Sequence, residues 1–231
     1  MLTTSKLSLH YGKSQILYDI DFSATIGKVT CVMGINGVGK TSFMKALTGL
    51  HPISYGSIFL EGVDITSNPS FLRAKKGIAY VPQGRQIFPL LTVQENLETG
   101  FSCLPKHQCL IPDFIFEMFP VLKAMRFRRG GDLSGGQQQQ LAIARALITK
   151  PKVLILDEPT EGIQPSVIIQ IRKVIELIKK EKKISIVLVE QYFDFAYDLG
   201  DYFYILKRGS ITFSGLKSAQ DRDQIRRCLM A

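Results

Sequence analysis

Hydrophobic residues form short runs in the first third of the chain and again beyond residue 150. The early runs are separated by turn residues, a pattern typical of β-strands; they are Leu7–His10, Ile16–Ser23, Val29–Met33 and Ser57–Leu60. The later runs, Lys152–Leu156 and Lys183–Val189, are continuously apolar at their centres, as parallel strands covered on both faces require. The pattern therefore predicts an α/β protein with strands near both ends of the chain.

Helical patterns lie between these strands. Val29–Gly49 has the pattern strand, glycine-rich loop, helix, with Gly49 as the stop signal. Behind Pro165, apolar residues repeat at helical spacing as far as Ile178, and Lys179–Lys183 places cations at the negative end of that helix. Between two strands, this helix predicts a right-handed crossover. Thr92 and Glu95 fit a capping box, and a helical insert is expected over about 88–150.

Composition and charge narrow the function classes. The chain has 231 residues, 45% of them hydrophobic, and a net charge of +9, which excludes disordered, collagen-like and coiled-coil proteins. It shows no apolar run long enough to cross a membrane and no secretory signal, so we expect a cytoplasmic protein. Its four cysteines show no C-x-x-C spacing and are expected to be free thiols. Scattered basic clusters suit nucleic acid, a nucleotide or an anionic membrane, and equally a solvated surface.

The segment Gly34–Thr41 matches G-x-x-x-x-G-K-[ST] between a predicted strand and a predicted helix. Its glycines allow successive backbone N–H groups to point at phosphate oxygens, and the helix N-terminus adds partial positive charge. Lys40 is then expected to reach the β- and γ-phosphates, and the Thr41 hydroxyl to bind Mg²⁺. The alternative is a purely structural glycine-rich turn, which the flanking strand and helix argue against.

Two further motifs fit a nucleotide site. Asp157 and Glu158 end an apolar strand where open α/β sheets place ligands; Asp157 is expected to hold Mg²⁺ and Glu158 to act as general base. Ser134 and Gln137 fit a capping box opening a helix over Gln138–Thr149. Gly135 and Gly136 each disfavour that helix by about 1 kcal/mol relative to Ala, so a second phosphate contact explains them better than capping alone.

Gly34–Thr41, Leu133–Gln137 and Leu154–Glu158, in this order, resemble the phosphate-binding loop, signature sequence and Walker-B strand of the ATP-binding subunits of ATP-binding-cassette (ABC) transporters. The resemblance implies a P-loop NTPase with a mainly parallel core sheet, an N-terminal antiparallel β subdomain and a helical insert carrying the signature. It also implies one domain over 1–231: 1–87 and 151–231 form the catalytic core with the β subdomain, and 88–150 the helical subdomain.

Residue by residue, the resemblance assigns roles to this chain. ATP would stack its adenine on Tyr11, and Gln83 would sense Mg²⁺ and the lytic water. Catalysis would rest on Glu158, Lys40 and Gln191, and Mg²⁺ on Thr41, Gln83 and Asp157. The remaining nucleotide contacts would come from the phosphate loop and from the signature of a head-to-tail partner; these residues are Gly34, Asn36, Gly37, Val38, Gly39, Lys40, Thr41, Ser42, Ser134, Gly135, Gly136 and Gln137.

Finer features resemble the ATPase subunits of importers for branched-chain amino acids and for urea or short amides. Gln137–Gln140 together with Glu161–Pro165 is most similar to the second ATPase subunit of the urea branch. The implied partners are transmembrane permease subunits, a second ATPase subunit (heterodimer or homodimer) and, indirectly, a periplasmic solute-binding protein, but no nucleic acid. The implied location is the cytoplasmic face of the inner membrane, as a peripheral subunit, with no room for an appended regulatory domain.

Two positions depart from the wider family. Gln191 stands where a switch histidine is usual, and Gln164 where an aspartate usually contacts the partner subunit. Glutamine still donates a hydrogen bond but does not change charge near neutral pH. A permease helix is expected to dock near Gln83–Gln94, with Arg85, Phe88 and Leu91 as candidate contacts, although Phe88 fits an apolar core better.

Two other functions remain open at this point. Soluble cassette ATPases acting on DNA or ribosomes share the same motifs, and the basic charge suits them. They typically carry tandem cassettes or long coiled-coil insertions, for which the interval between Lys40 and Ser134 is too short. A nucleotide-binding scaffold without turnover conflicts with the presence of both Lys40 and Glu158.

Overall fold

The computed structural model describes residues 1–219 and 222–230. The predicted core segment 151–231 also contains residues 220, 221 and 231, which lie outside the described residues. The described strands are β1 (Leu2–Tyr11), β2 (Ser14–Ala24), β3 (Val29–Met33), β4 (Tyr55–Leu60), β5 (Val63–Asp64), β6 (Ile78–Val81), β7 (Val153–Asp157), β8 (Ser185–Glu190), β9 (Tyr202–Lys207) and β10 (Ser210–Leu216).

The α-helices lie between and after these strands, and one helix follows each of β7 and β8. They are α1 (Lys40–Thr48), α2 (Ser70–Lys75), α3 (Val93–Glu98), α4 (Asp113–Met118), α5 (Pro120–Ala124), α6 (Gly135–Ile148), α7 (Pro165–Lys180), α8 (Phe193–Leu199) and α9 (Arg222–Met230). Short 3₁₀ turns cover Thr99–Cys103, Lys106–Gln108, Gly130–Asp132 and Lys217–Ala219. Within 1–219 and 222–230, no helix combines the length and the apolar character needed to cross a bilayer.

The strands form two sheets. One is antiparallel, in the order β2-β1-β4-β5. The other has the order β10-β9-β3-β8-β7-β6, in which all neighbours are parallel except the edge pair β9–β10. In the second sheet β3, β8 and β7 lie side by side, so the loops at their carboxyl ends meet at one edge. This confirms the predicted α/β fold with a mainly parallel sheet and an antiparallel β unit.

The mainly parallel sheet is buried on both faces. On β8, Ile186 and Leu188 pack into a core shared with α6, α7 and α8, whereas Val187 and Val189 pack into a second core with α1 and the antiparallel sheet. All six residues of β8 are buried. The continuous apolar run in the sequence therefore has the cause that was predicted, because neither face of the strand meets water.

Most of the predicted helix signals are confirmed. Gly49 adopts the left-handed conformation just after α1, and the Thr92 capping box opens α3. Residues 88–150 contain α3–α6 and no strand of either sheet. The predicted start of the helix after Ser134 is wrong by three residues: since Ser134 is itself the N-cap, α6 begins at Gly135, and it ends at Ile148 rather than Thr149.

Candidate active site

The segment Gly34–Lys40 joins β3 to α1 and forms an open backbone cradle. Gly39 is the N-cap of α1, with φ of 106°, a conformation that L side chains rarely adopt. At Gly34 a Cβ atom would collide with the Leu206 carbonyl oxygen of β9. The first turn of α1 borders the cavity beside this loop, and its N–H groups have no acceptor within the helix, as a phosphate site requires.

Lys40 is folded back over this loop. Its ammonium Nζ donates to the carbonyl oxygens of Gly34 at 2.8 Å and Ile35 at 3.1 Å, and lies 3.2 Å from Glu158 Oε1. The Lys40 side chain is buried, so its charge is held inside the site by fixed acceptors. The structure thus brings together the phosphate loop and the Walker-B glutamate.

A cavity of about 390 Å³ opens beside the loop. Its lining confirms a shared location for many residues that the sequence analysis singled out, and it adds Ile16; the lining residues are Tyr11, Ile16, Asn36, Gly37, Gly39, Lys40, Thr41, Ser42, Gln83 and Glu158. The Tyr11 ring lies at 4.3 Å from the His51 ring and is partly exposed. Val38, in contrast, is buried in the core and leaves its backbone as the part able to contact a ligand.

Asp157 ends β7 and is almost completely buried. Its Oδ2 accepts a 2.9 Å hydrogen bond from the Tyr80 hydroxyl of the neighbouring strand β6, while its Oδ1 is buried without a hydrogen-bond partner. Burial raises the pKa of this carboxyl to about 6, and the nearby Glu158 charge acts in the same direction. A buried acceptor without a donor fits an oxygen ligand for Mg²⁺, and Thr41 and Gln83 add oxygen atoms at the neighbouring cavity wall.

Glu158 follows Asp157 in a left-handed backbone conformation, with φ of 47°. Its backbone N–H donates to the Val189 carbonyl of β8 at 2.9 Å, which holds the strained residue at the edge of the sheet. Gln83 Nε2 donates to Glu158 Oε2 at 3.3 Å and to Glu161 Oε2 at 2.9 Å. The Glu158 carboxylate therefore contacts both Lys40 and Gln83.

The signature segment lies at the N-terminus of α6, away from the cavity lining. Ser134 is exposed, and its hydroxyl accepts from the Gln137 N–H at 3.4 Å, while Gln137 Oε1 accepts from the Ser134 N–H at 2.9 Å. The predicted capping box is therefore confirmed. Within the described residues, Ser134, Gly135, Gly136 and Gln137 are not part of the wall around Lys40.

Gln191 is also exposed and does not belong to that wall among the residues described. Its backbone N–H is held by Glu190 Oε2 at 3.1 Å, directly after β8. Gln164 is the exposed N-cap of α7 and makes no side-chain capping bond. The chain alone thus assembles the phosphate loop, Tyr11, Gln83 and Glu158, but leaves Gln191 and the signature outside.

Among the candidate docking residues, the structure corrects the expected core position of Phe88. Phe88 is not a core residue: its ring is 49% exposed and lies under the Arg145 guanidinium at 5.4 Å. A Cβ atom at Gly135 would lie 2.7 Å from Arg85 Nη1, so Arg85 contacts the signature. Leu91 is half-buried. The expected core position of Phe88 is wrong because residues 84–90 lie in a loop at the surface.

Sequence reasoning missed four residues of the site. Tyr80 and Ile16 are strand residues whose contacts depend on strand order and register, which sequence patterns do not specify. Glu161 is reached by Gln83 across the sheet edge. Glu190, a carboxylate closing an otherwise apolar strand, was the one position with a visible signal, since charged residues are rarely buried without partners.

Comparison with known proteins agrees with this geometry. The profile of the family described as "ABC transporter" matches residues 17–161. The chain is 41% identical to the high-affinity branched-chain amino acid transport ATP-binding protein BraG of Pseudomonas aeruginosa, over 91% of each chain. It is 39% identical to the probable branched-chain amino acid transport ATP-binding protein LivF of Archaeoglobus fulgidus, over 93% of this chain and 92% of that protein.

Among solved structures, a nucleotide-free ATP-binding cassette from an ABC transporter superposes with a TM-score of 0.87 at 26% identity, covering 100% of this chain and 95% of the other. The likeness therefore extends over both sheets and the helical segment, and ATP with Mg²⁺ are the ligands of such a cassette. From sequence, fold and site together, the chain belongs to the ABC transporter family, as an ATP-binding subunit that hydrolyses ATP.

Proposed function

We propose that this chain powers import of branched-chain amino acids through an ABC transporter, as a peripheral subunit on the cytoplasmic face of the inner membrane. The observation that carries the proposal is the Lys40–Glu158 pair inside a phosphate cradle, in a chain whose relatives BraG and LivF are named for branched-chain amino acid transport. Transmembrane permeases are the proposed partners, with a periplasmic solute-binding protein acting indirectly and nucleic acid taking no part.

Urea or a short amide is the second candidate solute. The run Gln137–Gln140 together with Glu161–Pro165 favours it, through its similarity to the second ATPase subunit of the urea branch. Uptake of labelled leucine and labelled urea by cells carrying the chain with its native permeases separates the two solutes. Lys40→Ala should abolish whichever uptake is present.

In the site, we assign ATP binding to Tyr11 at the adenine, and to backbone N–H groups and side chains of Gly34–Ser42 at the phosphates. Lys40 is already held by two carbonyl oxygens, so its ammonium is oriented before nucleotide arrives. Asp157, Thr41 and Gln83 would hold Mg²⁺, which when bound offsets phosphate charge. Glu158 would accept a proton from the attacking water, with Gln83 orienting that carboxylate through its amide.

The signature and Gln164 act between subunits in this proposal. Ser134 is exposed and lies outside the cavity that contains Lys40, so a head-to-tail partner is needed to bring a signature to each bound γ-phosphate. The partner is a second ATPase subunit, in a heterodimer or a homodimer. Gln191 would donate its amide to the γ-phosphate of its own site. Residues 88–150 form the proposed helical subdomain, and 1–87 with 151–231 the catalytic core.

The decisive experiment uses Glu158→Gln in the chain purified with its partner ATPase. Loss of the carboxylate removes the proton acceptor and leaves the cradle intact, so hydrolysis should fall about a thousandfold while ATP binding persists and the dimer accumulates. Light scattering with saturating Mg·ATP measures that dimer. Glu176→Gln, the same change on the exposed face of α7, is the matched control and should hydrolyse ATP like the parent. A Glu158→Gln protein that stays monomeric with its partner contradicts the dimer scheme.

A further inference from the structure

Glu190 is a buried carboxylate at the carboxyl end of the mainly parallel sheet, beside the candidate site. The proposed chemistry does not use it. It ends β8, the strand between β3 and β7, and is 2% exposed. In the sheet it pairs with Met33, the last residue before the phosphate loop. A carboxylate is costly to bury unless its oxygens accept hydrogen bonds, so the groups around it indicate what it holds.

Each oxygen of Glu190 holds a different loop. Oε1 accepts from the Thr160 backbone N–H at 3.2 Å and from the Thr160 hydroxyl at 2.8 Å. Oε2 accepts from the backbone N–H groups of Gln191 at 3.1 Å and Tyr192 at 3.3 Å. One side chain therefore ties the loop that follows β7 to the loop that follows β8.

Both loops carry residues of the proposed reaction. Thr160 lies two positions after Glu158, and Gln191 follows Glu190 directly. Glu158 is in a strained left-handed conformation, with its N–H bound to Val189 of the same strand β8. Strained residues persist where the surrounding structure fixes them. The two hydrogen bonds from Thr160 to Glu190 add such a restraint two residues after Glu158.

We propose that Glu190 is a positioning residue that links the loop carrying Glu158 to the loop carrying Gln191, so that the two loops move together. The inference rests on the proposed function, since Glu158 and Gln191 act together at the γ-phosphate there. The loop after Glu158 also carries the exposed Glu161 and Gln164, which the proposed dimer covers. Through Glu190, a shift of that loop on dimer closure moves Gln191 with it, so that the γ-phosphate donor and the water-activating base reach the nucleotide together.

The first test is Glu190→Gln, which keeps the size of the side chain but offers one acceptor oxygen instead of two. One of the two loops then loses its acceptor, and we expect kcat for ATP hydrolysis to fall about tenfold while KM for ATP stays within about twofold. A change in KM alone, or a parental kcat, overturns the proposal. Thr160→Val should reproduce part of the loss, and Thr160→Ser, which keeps the hydroxyl donor, should restore activity.

A double-mutant cycle distinguishes a coupled unit from two independent packing contacts. Thr160→Val loosens one loop and Gln191→Ala removes the donor on the other. If Glu190 couples them, the double variant should lose no more than about twofold beyond the worse single variant, and in a Glu190→Gln background the two effects should become independent. Effects that multiply in the parent background contradict the coupling.

Two controls keep the outcomes separate. A parent protein that does not hydrolyse ATP, or a Glu158→Gln variant that hydrolyses it normally, refutes the proposed function rather than the role of Glu190. Thermal unfolding of every variant identifies misfolding. Should Glu190→Gln fail to fold, the Thr160 pair and the cycle with Gln191→Ala still decide the question, because Thr160 and Gln191 lie in loops outside the strands and helices.

Discussion

At the scale of single residues, Asp157 shows a conflict between stability and function. Its carboxylate is buried, one oxygen has no donor, and burial raises its pKa to about 6. The folded protein without Mg²⁺ therefore disfavours the charged form that a cation site needs. Such residues destabilise the fold where they serve its chemistry.

Asp157→Asn should stabilise the Mg²⁺-free protein at neutral pH by on the order of 2 kcal/mol while removing its ATPase activity. The folded carboxyl binds its proton more tightly than the unfolded one, whose ordinary pKa is 3.8, so parental stability falls as pH rises from about 4 to about 6. Urea unfolding in EDTA at about pH 4 and about pH 7.5 measures the difference between variant and parent, which should grow with pH. Asp132→Asn, a change at an exposed carboxyl, is the control and should show no such growth with pH. An equal stability gain for Asp157→Asn at both pH values contradicts this account.

The candidate residues that sequence reasoning could place are those whose position in the fold follows from local order along the chain. Lys40, Asp157 and Glu158 each sit at a junction between a strand and the next element, where a motif fixes their place. Tyr80 was missed because its partner Asp157 is distant in sequence and becomes a neighbour through the pairing of β6 with β7. Such contacts depend on register, which a single sequence does not reveal.

At the scale of elements, the N-terminus of α6 is shaped by two glycines with different surroundings. A Cβ at Gly135 would meet the guanidinium of Arg85, the mobile end of a long side chain. A Cβ at Gly136 would lie 2.8 Å from Val167 Cγ2 and 2.9 Å from its Cγ1, on the first turns of α7. The valine branch is stiff at χ1, so α6 and α7 would have to separate.

Gly136→Ala should therefore destabilise the protein by about 1 to 3 kcal/mol, although alanine favours helix. Gly135→Ala is the matched control and should change stability by less than about 0.5 kcal/mol, since the Arg85 tip moves aside. Adding Val167→Ala to Gly136→Ala removes the colliding methyl groups and should recover most of the loss relative to Val167→Ala alone. Chemical denaturation of the parent and the four variants measures these differences. Equal effects of the two glycine substitutions would show that helix propensity, not the contact with α7, determines the result.

The same helix shows why boundaries are harder to predict than identities. Ser134 and Gln137 are a capping signal in the sequence, and both capping bonds form. The sequence predicts a start at Gln138, after two glycines of low helix propensity, whereas α6 begins at Gly135. In the structure, the cap and the packing of α6 against the sheet outweigh that propensity, as tertiary contacts usually do.

At the scale of the whole molecule, different elements cover the two faces of the mainly parallel sheet. The antiparallel sheet and α1 cover one face beside the phosphate loop, and α6–α8 cover the other. Between α1 and α6 lies a cleft of about 660 Å³, whose wall includes Gln83, Gln86, Phe88 and Arg145. Thr41 and Gln83 belong to this wall and to the nucleotide cavity, so two residues face both spaces.

A helix of the permease is proposed to dock in this cleft, and Phe88 is its strongest candidate contact. An aromatic ring left half-exposed, with a guanidinium above it, offers a large apolar surface at small entropic cost.

Phe88→Ala should weaken docking by about 1 to 3 kcal/mol and so lower solute uptake about tenfold. The isolated subunit should keep its ATPase activity, because Phe88 lies outside the nucleotide cavity. Uptake into proteoliposomes and ATP hydrolysis by the free subunit are measured on the same protein. Phe127→Ala, which removes an aromatic ring that is 79% exposed outside the cleft wall, should leave both unchanged. If Phe88→Ala lowers both activities in parallel, or neither, the permease does not engage this cleft through Phe88.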